Sequence, residues 1–241
     1  MQRQGTNHMQ TKLFPSRARP LAIALALACT GATTLDAAPA PARIADVAAT
    51  VRPDGSILWP VDNCNDAGAG SLRDAAMHAN HGDGIDLSGL SCSTISVTTG
   101  AITLHDVTLT GPGAGQLEIS GTGNQNHRIF NHVGAGGTLK IRGVTVSGGK
   151  YLSYGGFGGG CLRSTGGSLH IYDSVFRSCM VVTPVGQAGN ARGGAIAAYG
   201  SGFVSLEGTT IESSVARTDH GIAAGGGLYA QGRVDMIVSA V

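Results

Sequence analysis

The segments Leu139-Lys-Ile-Arg-Gly-Val-Thr-Val146 and Leu169-His-Ile-Tyr-Asp-Ser-Val-Phe176 share one spacing. Two apolar residues are separated by one residue, and a third apolar residue follows five positions after the second. The same spacing recurs at Ile102/Leu104/Leu109, Val204/Leu206/Ile211 and Val234/Met236/Val241. Successive copies begin 37, 30, 35 and 30 residues apart. A pattern that returns at such a period indicates a repeat protein, in which each unit buries its apolar side only by stacking on its neighbours.

The repeat unit has the pattern of short strands. Apolar residues alternate at period two, whereas helical repeats of this length need long segments with a 3.6-residue period. Glycine pairs separate the strands, at Gly159-Gly160, Gly193-Gly194 and Gly226-Gly227. A single tryptophan, Trp59, does not favour the alternative of a β-propeller. We therefore expect an all-β protein, a single-stranded right-handed parallel β-helix, whose interior stacks Leu139, Ile141, Leu169, Ile171, Val204 and Leu206.

The composition agrees with a glycine-rich, turn-rich fold and excludes several other classes. Glycine accounts for 39 of 241 residues, and only 13% of residues are charged. The hydrophobic share of 42% is too high for a disordered chain, and the glycines lack the G-X-Y period of collagen. A formal net charge of +1 gives no reason to expect nucleic acid as a partner, because phosphate binding needs clustered Lys and Arg.

Residues 1–42 have the features of a secretory signal peptide. Lys12, Arg17 and Arg19 precede an uncharged apolar run, and Ala40-Pro41-Ala42 fits the rule for cleavage before Arg43. The run is shorter than the roughly 20 residues that span a bilayer. Cys29 leaves a lipoprotein interpretation open, with a poorer match. We expect a signal peptide at 1–42, a linker at 43–58, and an exported protein that passes the periplasm to an extracellular or outer-membrane surface location, with no transmembrane segment.

Four cysteines follow the predicted cleavage site: Cys64, Cys92, Cys161 and Cys179. An even number in an exported chain favours disulfides, for which three connectivities are possible. Proximity in sequence favours Cys64–Cys92 and Cys161–Cys179. A four-cysteine zinc site is disfavoured because no C-x-x-C spacing occurs. We expect disulfides, no metal and no cofactor.

A short cap helix is predicted at about residues 71–81, before the coils at 95–241 of a domain spanning 59–241. Asp74 lies three residues after Ser71, as in a capping box, and a one-faced helix here can cover the open strand edge. His78 and His81 then finish the helix and Asp83 lies in a turn, which we prefer to a metal site. The chain ends within the fifth copy of the motif, so we expect either a C-terminally truncated domain or a last coil whose edge pairs with something else.

The segment 63–75 (Asn-Cys-Asn-Asp-Ala-Gly-Ala-Gly-Ser-Leu-Arg-Asp-Ala), with Gly82-Asp83-Gly84-Ile85 and Gly111-Pro112-Gly113-Ala114, resembles a known opening. It is similar to exported bacterial parallel β-helix proteins with a CSLREA-type N-terminal domain, which are pectin-lyase-like and polymorphic outer membrane protein-like. The resemblance covers about residues 60–241. It implies a β-helix carried to the cell surface or released. Gly193-Gly194-Ala195-Ile196 is similar to the GGAI element of the adhesin-like branch, whereas the F-x-x-N element is degenerate at Phe176-Arg-Ser-Cys179.

The favoured function is a non-catalytic module of the cell envelope, structural or adhesin-like. Outward positions beside the apolar motif are expected to form two ladders on one face: Thr103/His105, Lys140/Arg142, His170/Tyr172, Ser205/Glu207 and Asp235/Ile237. An extracellular or cell-wall polysaccharide, or a surface partner, is the candidate ligand, since an aromatic ring stacks on a sugar and Arg pairs with a carboxylate. The candidate ligand-binding residues are His105, Lys140, Arg142, His170, Tyr172 and Glu207. The preferred interpretation of the same face is a solvated surface whose mixed charge prevents association.

The second function class is a polysaccharide lyase or glycoside hydrolase. Asp106 and Asp173 are predicted to share one column, two coils and about 10 Å apart, a separation that suits a hydrolytic carboxylate pair. Turn residues are the preferred interpretation of both. We therefore expect no catalytic residues.

Overall fold

The computed structural model describes residues 49–121, 126–134, 136–200 and 202–241. The predicted signal peptide lies outside the described residues. The described residues form one helix, α1 (Leu72–His78), and these strands: β1 (Thr50–Val51), β2 (Ile57–Pro60), β3 (Gly84–Asp86), β4 (Thr94–Val97), β5 (Ile102–Leu104), β6 (Thr108–Thr110), β7 (Glu118–Gly121), β8 (Phe130–Val133), β9 (Thr138–Arg142), β10 (Thr145–Ser147), β11 (Lys150–Leu152), β12 (Leu162–Thr165), β13 (Ser168–Tyr172), β14 (Val175–Arg177), β15 (Met180–Val182), β16 (Ala191–Arg192), β17 (Ile196–Tyr199), β18 (Val204–Glu207), β19 (Thr210–Glu212), β20 (Val215–Arg217), β21 (Ala223–Ala224), β22 (Leu228–Ala230) and β23 (Val234–Ile237).

The strands stack in parallel into a β-solenoid of about six turns. Sheet A has the strand order β1-β2-β3-β6-β9-β13-β18-β23, sheet B β4-β7-β10-β14-β19, sheet C β5-β8-β12-β17-β22 and sheet D β11-β15-β20. A complete coil passes from sheet C through A and B to D and returns to sheet C. The β1–β2 pair alone is antiparallel among the paired strands of the described chain. The prediction of an all-β, parallel β-helical fold is confirmed.

A continuous column of apolar side chains lines the inner face of sheet A. Strand pairing aligns Trp59, Ile85, Leu109, Ile141, Ile171, Leu206 and Met236. The five central members, from Ile85 to Leu206, are fully buried. Since burial of one such side chain contributes about 2 kcal/mol, this column is a principal source of the stability of the solenoid.

The predicted register of the first motif copy is wrong. Ile102 and Leu104 belong to β5 and pair in sheet C, while Leu109 stacks on Ile141 in sheet A. The corner from sheet C to sheet A separates two inward residues by five positions, Leu104 and Leu109. The corner from sheet A to sheet B has the same spacing, at Ile141 and Val146. Spacing alone therefore cannot distinguish the two corners.

Each of the last four strands of sheet A is followed directly by a residue in the left-handed backbone region. The φ angles are 67° at Gly143, 45° at Asp173, 56° at Gly208 and 47° at Val238. This conformation turns the chain into sheet B within two residues, and Asp tolerates it better than most residues. The next residue adds a hydrogen bond: the Ser174 hydroxyl donates to the carbonyl of Tyr172 at 2.6 Å. Asp173 is thus a turn residue.

The cap helix is fixed by reciprocal hydrogen bonds at its start. The Asp74 amide donates to the Ser71 hydroxyl at 3.2 Å, and the Gly70 amide donates to the Asp74 carboxylate at 3.0 Å. The helix is shorter than the predicted segment because Ala79 already has extended backbone, with φ −71° and ψ 130°. Its buried side chains, Leu72, Ala75 and Ala76, face the interior, and the helix packs against β5 and β3.

An ion pair joins the cap to the first coil. Arg73 Nη2 lies 2.7 Å from Asp66 Oδ1, and the same guanidinium donates to the carbonyls of Gly100 and Ala101. Asp66 also accepts from the amides of Thr98 and Thr99 at 2.8 and 2.7 Å. Burial raises the pKa of Asp66, but the hydrogen bonds from Arg73, Thr98 and Thr99 outweigh it and hold that pKa well below its usual value of 3.8.

Both favoured disulfides are confirmed. Cys64 pairs with Cys92, and Cys161 with Cys179, with Cα atoms 6.5 and 5.5 Å apart. Disulfides persist in oxidising compartments, so the pairing agrees with an extracellular environment. The helix α1 is far too short to cross a membrane, and the described part of the chain has no longer one.

We expect Arg73→Gln to lower the free energy of unfolding by about 2 kcal/mol, because hydrogen bonds to charged groups contribute about 1.5–3 kcal/mol. Urea denaturation at neutral pH measures this loss. Because folding lowers the pKa of Asp66, its contribution is fully present above pH 3.8 and is lost as the pH falls further.

The matched control is Arg233→Gln. Arg233 pairs with Asp235 at 2.8 Å, but its side chain is 76% exposed, so its loss is expected to cost less than about 0.5 kcal/mol. An equal loss of stability in both variants would contradict the proposed role of the Asp66–Arg73 pair.

Candidate functional site

The outer face of sheet A carries two rows of side chains in register. The first row is Thr108, Lys140, His170, Ser205 and Asp235, and the second is Thr110, Arg142, Tyr172, Glu207 and Ile237. Each position neighbours an inward residue of the same strand, so strand alternation directs its side chain outward. The structure therefore brings together five of the six predicted ligand-binding residues: Lys140, Arg142, His170, Tyr172 and Glu207.

His105 lies outside these rows. Thr108 and Thr110 take the places predicted for Thr103 and His105, because β5 belongs to sheet C. The His105 imidazole lies beside that of His81, with ring centroids 5.1 Å apart.

Two adjoining depressions follow the outer face of sheet A. The first has a volume of about 470 Å³ and is lined by Thr108, Thr110, Lys140, Arg142, Tyr172, Asp173 and Glu207. The second has a volume of about 490 Å³ and is lined by His81, Gly82, Asp106, Thr108, Gly137, Thr138 and Lys140. Thr108 and Lys140 belong to both, so the two form one groove across successive coils, which we call the sheet A groove. Each volume lies within the range of small-ligand sites, about 300–1,000 Å³.

One exposed ion pair and one hydrogen bond connect the charged and aromatic side chains of the groove. Arg142 Nε lies 3.4 Å from Asp173 Oδ2, with side-chain exposures of 66% and 62%, so this is a loose surface pair. His170 Nδ1 lies 2.9 Å from the Tyr172 hydroxyl. Burial, and next the charge of Lys140, lower the pKa of His170. An imidazole that is neutral at pH 7 can accept a hydrogen bond from the Tyr172 hydroxyl at Nδ1, and this bond orients the Tyr172 ring.

The predicted shared column of Asp106 and Asp173 is wrong. Asp106 precedes β6 and aligns with Thr138, at the start of the sheet A strands, whereas Asp173 follows the end of β13. Five strand positions separate the two columns, a distance of about 16 Å along the strand. Carboxylates that act on one glycosidic bond lie about 5–10 Å apart. Asp106 and Asp173 do not form such a pair.

Asp106 is the centre of a buried polar network. Its carboxylate is 6% exposed and lies 2.9 Å from both His132 Nε2 and His81 Nδ1. The Gly137 amide donates to the same carboxylate at 3.1 Å. His132 Nδ1 in turn lies 2.7 Å from Ser164 Oγ. We call His81, Asp106, His132 and Ser164 the Asp106 network.

The protonation of the network follows from burial. Burial lowers the pKa of His132 by more than the adjacent Asp106 raises it, so the imidazole is neutral at pH 7. A neutral imidazole has one N–H, and a carboxylate only accepts. His132 Nε2 therefore donates to Asp106, and His132 Nδ1 accepts from Ser164.

The Asp106 network contains the residue types of a Ser-His-Asp triad but not the geometry of one. In a triad the nucleophilic Ser bonds to Nε2 and faces the substrate. Here Ser164 bonds to Nδ1 and is 1% exposed, inside the solenoid. The network instead fixes sheet C to the start of sheet A, and a Cβ at Gly137 would lie 2.7 Å from the Asp106 carboxylate.

His132 and Ser164 were not predicted from the sequence. The alternation of apolar and polar residues in β8 could have shown that His132 faces inward like Phe130. A buried His needs a hydrogen-bond partner, so this alternation was the signal for the network.

Asp83, part of the disfavoured metal interpretation, accepts from the amides of Ile57 and Asn80, each at 2.8 Å. No cluster of three His, Cys, Asp or Glu side chains suited to a metal ion occurs in the described ranges.

The Asp106 network predicts a pH dependence of stability. Folding lowers the pKa of His132 below its usual 6.5, so the unfolded state binds the proton more readily. The free energy of unfolding is then expected to fall as the pH drops below 6.5 and to level off below the lowered pKa of His132. His132→Gln should be less stable at pH 7.5 by about 2 kcal/mol, through loss of buried hydrogen bonds, and should show a smaller fall between pH 7.5 and 5.

Denaturation curves across this pH range provide the measurement. His170→Gln is the control, since His170 also has a lowered pKa but lies on the outer face. If His132→Gln retained the full wild-type slope while His170→Gln removed it, the assignment of the titration to the Asp106 network would be incorrect.

No protein-family model, curated protein or solved structure matches this chain. The similarity of segment 63–75 to the CSLREA-type opening therefore remains a prediction from those residues, and function is argued from the geometry above.

Proposed function

We propose that this chain is a non-catalytic, exported β-helix module of the cell envelope that binds an extended polysaccharide along the sheet A groove. The observation that carries the proposal is the alignment of Lys140, Arg142 and Tyr172 beside one open groove that crosses several coils. Coils repeat about every 4.8 Å, so contacts recur along a line. An extended polymer fits such a line better than a compact small molecule.

The groove offers contacts that a sugar chain can use. Tyr172 presents a ring next to His170, and Lys140 is absent from every ion pair of the described residues. The exposed Arg142–Asp173 pair can give way to a ligand carboxylate at little cost. These groups favour a polysaccharide that carries acidic sugars.

Three further observations support export and surface location. Residues 1–42 have the features of a signal peptide, two disulfides fit an oxidising compartment, and the resemblance to CSLREA-type proteins implies transport to the surface. A glycan ligand would be met in that location.

A polysaccharide-degrading enzyme is the second candidate. Asp173 and Glu207 lie on neighbouring coils and line the same depression, with the Asp173 amide donating to the Glu207 carbonyl at 2.9 Å. However, a general acid needs burial or a like charge to retain its proton. Asp173 is 62% exposed and its ion-pair partner is Arg142, which is not the setting of a general acid.

We expect Tyr172→Ala and Arg142→Gln each to weaken binding of polygalacturonate about fivefold, since one aromatic or ionic contact contributes about 1 kcal/mol. Isothermal titration with the purified chain gives the affinity. Arg177→Gln is the matched control, because Arg177 also pairs with one carboxylate, Glu118 at 2.9 Å, but lies in sheet B. Equal losses in Arg142→Gln and Arg177→Gln would contradict binding in the groove.

Incubation with pectin and related polymers, followed by assays for reducing ends and unsaturated products, tests the enzyme. Asp173→Asn suits this purpose because Asn tolerates the left-handed backbone at that corner. We expect no turnover. If products form and either Asp173→Asn or Glu207→Gln abolishes them, the enzyme replaces the binding module.

A further inference from the structure

The outer face of sheet C holds a cluster of arginine and aromatic side chains outside the sheet A groove. Arg163 of β12 projects outward between the inward Leu162 and Ser164. Strand pairing aligns Arg163 with Ala197 and then Tyr229 on the next two coils. Tyr199, two residues after Ala197, also faces outward. With Phe157 and Arg192, these side chains form what we call the sheet C cluster: Phe157, Arg163, Arg192, Tyr199 and Tyr229.

Aromatic rings and guanidinium groups alternate within the cluster. The Arg163 Cζ atom lies 4.5 Å from the centroid of Phe157 and 6.0 Å from that of Tyr199. Arg192 Cζ lies 5.2 Å from the centroid of Tyr229, and the Tyr199 and Tyr229 rings are 5.7 Å apart. The cluster is therefore continuous across three coils.

Within the part of the chain that the structure describes, the positive charges of the cluster have no carboxylate partners. No ion pair of the described residues includes Arg163, Arg192 or the nearby Arg128. Arg163 Nε is buried without a hydrogen-bond partner in the described structure. A buried donor that lacks a partner costs about 1–3 kcal/mol, and an anionic ligand beside the guanidinium would neutralise its charge.

The loop that carries Phe157 is held in place by backbone contacts. Arg128 stacks on Tyr151 at 3.8 Å and donates to the carbonyls of Gly158 and Gly159. A Cβ at Gly158 would lie only 1.5 Å from the Arg192 carbonyl oxygen, so glycine is required for this close approach. Phe157 itself remains 45% exposed. The loop is thus preorganised with Phe157 accessible, and preorganisation lowers the entropic cost of binding.

We propose that the sheet C cluster is a second binding site, separate from the sheet A groove, for the oxyanion-bearing sugars of an acidic polysaccharide. Arg163 and Arg192 contact carboxylate or sulfate oxygens, and Phe157 provides a flat surface for the sugar ring. The two disulfides are typical of an oxidising environment, and such an environment favours a glycan over a nucleic acid. The mixture of Arg with aromatic rings, without a broad apolar patch, favours it over a lipid surface.

The test uses the full chain, labelled with ¹⁵N, and three polymer fragments: a sulfated dextran, an oligogalacturonate and neutral dextran. We expect the charged fragments to shift the backbone amides of residues 156–163 and 192, and neutral dextran to shift none of them. Shifts of residues 140–142 and 170–172 report separately on the sheet A groove. Missing shifts at the sheet A groove would contradict the proposed function, and missing shifts at the sheet C cluster would contradict the second site, so the two failures are distinguishable.

Two double variants remove the same charge from different faces. Arg163→Gln with Arg192→Gln should abolish the sheet C shifts and weaken binding there at least tenfold, whereas Lys140→Gln with Arg142→Gln should leave them intact. Phe157→Ala, in an exposed loop, should weaken binding about fivefold without changing charge, and it tests the ring contact even where the double variant folds poorly.

Several results would overturn the second site. These are absence of the sheet C shifts, their persistence in the Arg163/Arg192 variant, equal losses in both double variants, or no effect of Phe157→Ala. Equal binding of a single-stranded oligonucleotide of matched charge, or of anionic vesicles, would replace the glycan by that ligand and would likewise contradict the proposal.

Discussion

The structure depends on the stacking of apolar side chains from one coil onto the next. A single coil of about 30 residues has no interior of its own, so Ile141 is buried only because Leu109 and Ile171 lie on either side of it. This constraint makes register obligatory, since a shift by one residue would expose the column and bury Lys140 or Arg142. The inner column therefore also determines which side chains meet on the outer face of sheet A.

The register of the inner column determines the side chains on the outer faces of sheets A and C in different ways. In sheet A, regular pairing alone aligns Lys140, His170 and Ser205 across successive coils. In sheet C, one aligned position, Arg163, is combined with Phe157 from the loop before β12 and with Arg192 of β16. The first arrangement is an extended row, and the second is a local cluster built around a fixed loop.

The fold, four motif copies, both disulfides and most of the sheet A rows could be predicted from the sequence. These predictions rest on the alternation of apolar residues and on the proximity of cysteines along the chain, which are local properties. The sequence was not sufficient for the corner at Leu104–Leu109, where two different turns have identical spacing. The Asp106 network could not be predicted, since it joins residues 25 to 32 positions apart whose contact depends on that misassigned corner. The sheet C cluster was missed for a related reason: Phe157 lies in a glycine segment with no periodicity that would place it over Arg163.

The corners that begin at Gly143 and Asp173 have a consequence for how the coils differ in length. The coil from Leu169 to Val204 is 35 residues long, whereas its neighbours have 30. Four of the additional residues lie in the segment from sheet D to sheet C, which has 13 residues between Val182 and Ile196 but 9 between Leu152 and Leu162. In this coil the additional residues lie mainly on one edge, while the corner from sheet A to sheet B keeps two residues at β9–β10, β13–β14 and β18–β19. New surface loops can be exchanged at that edge, coil by coil, without disturbing the spacing that the interior imposes.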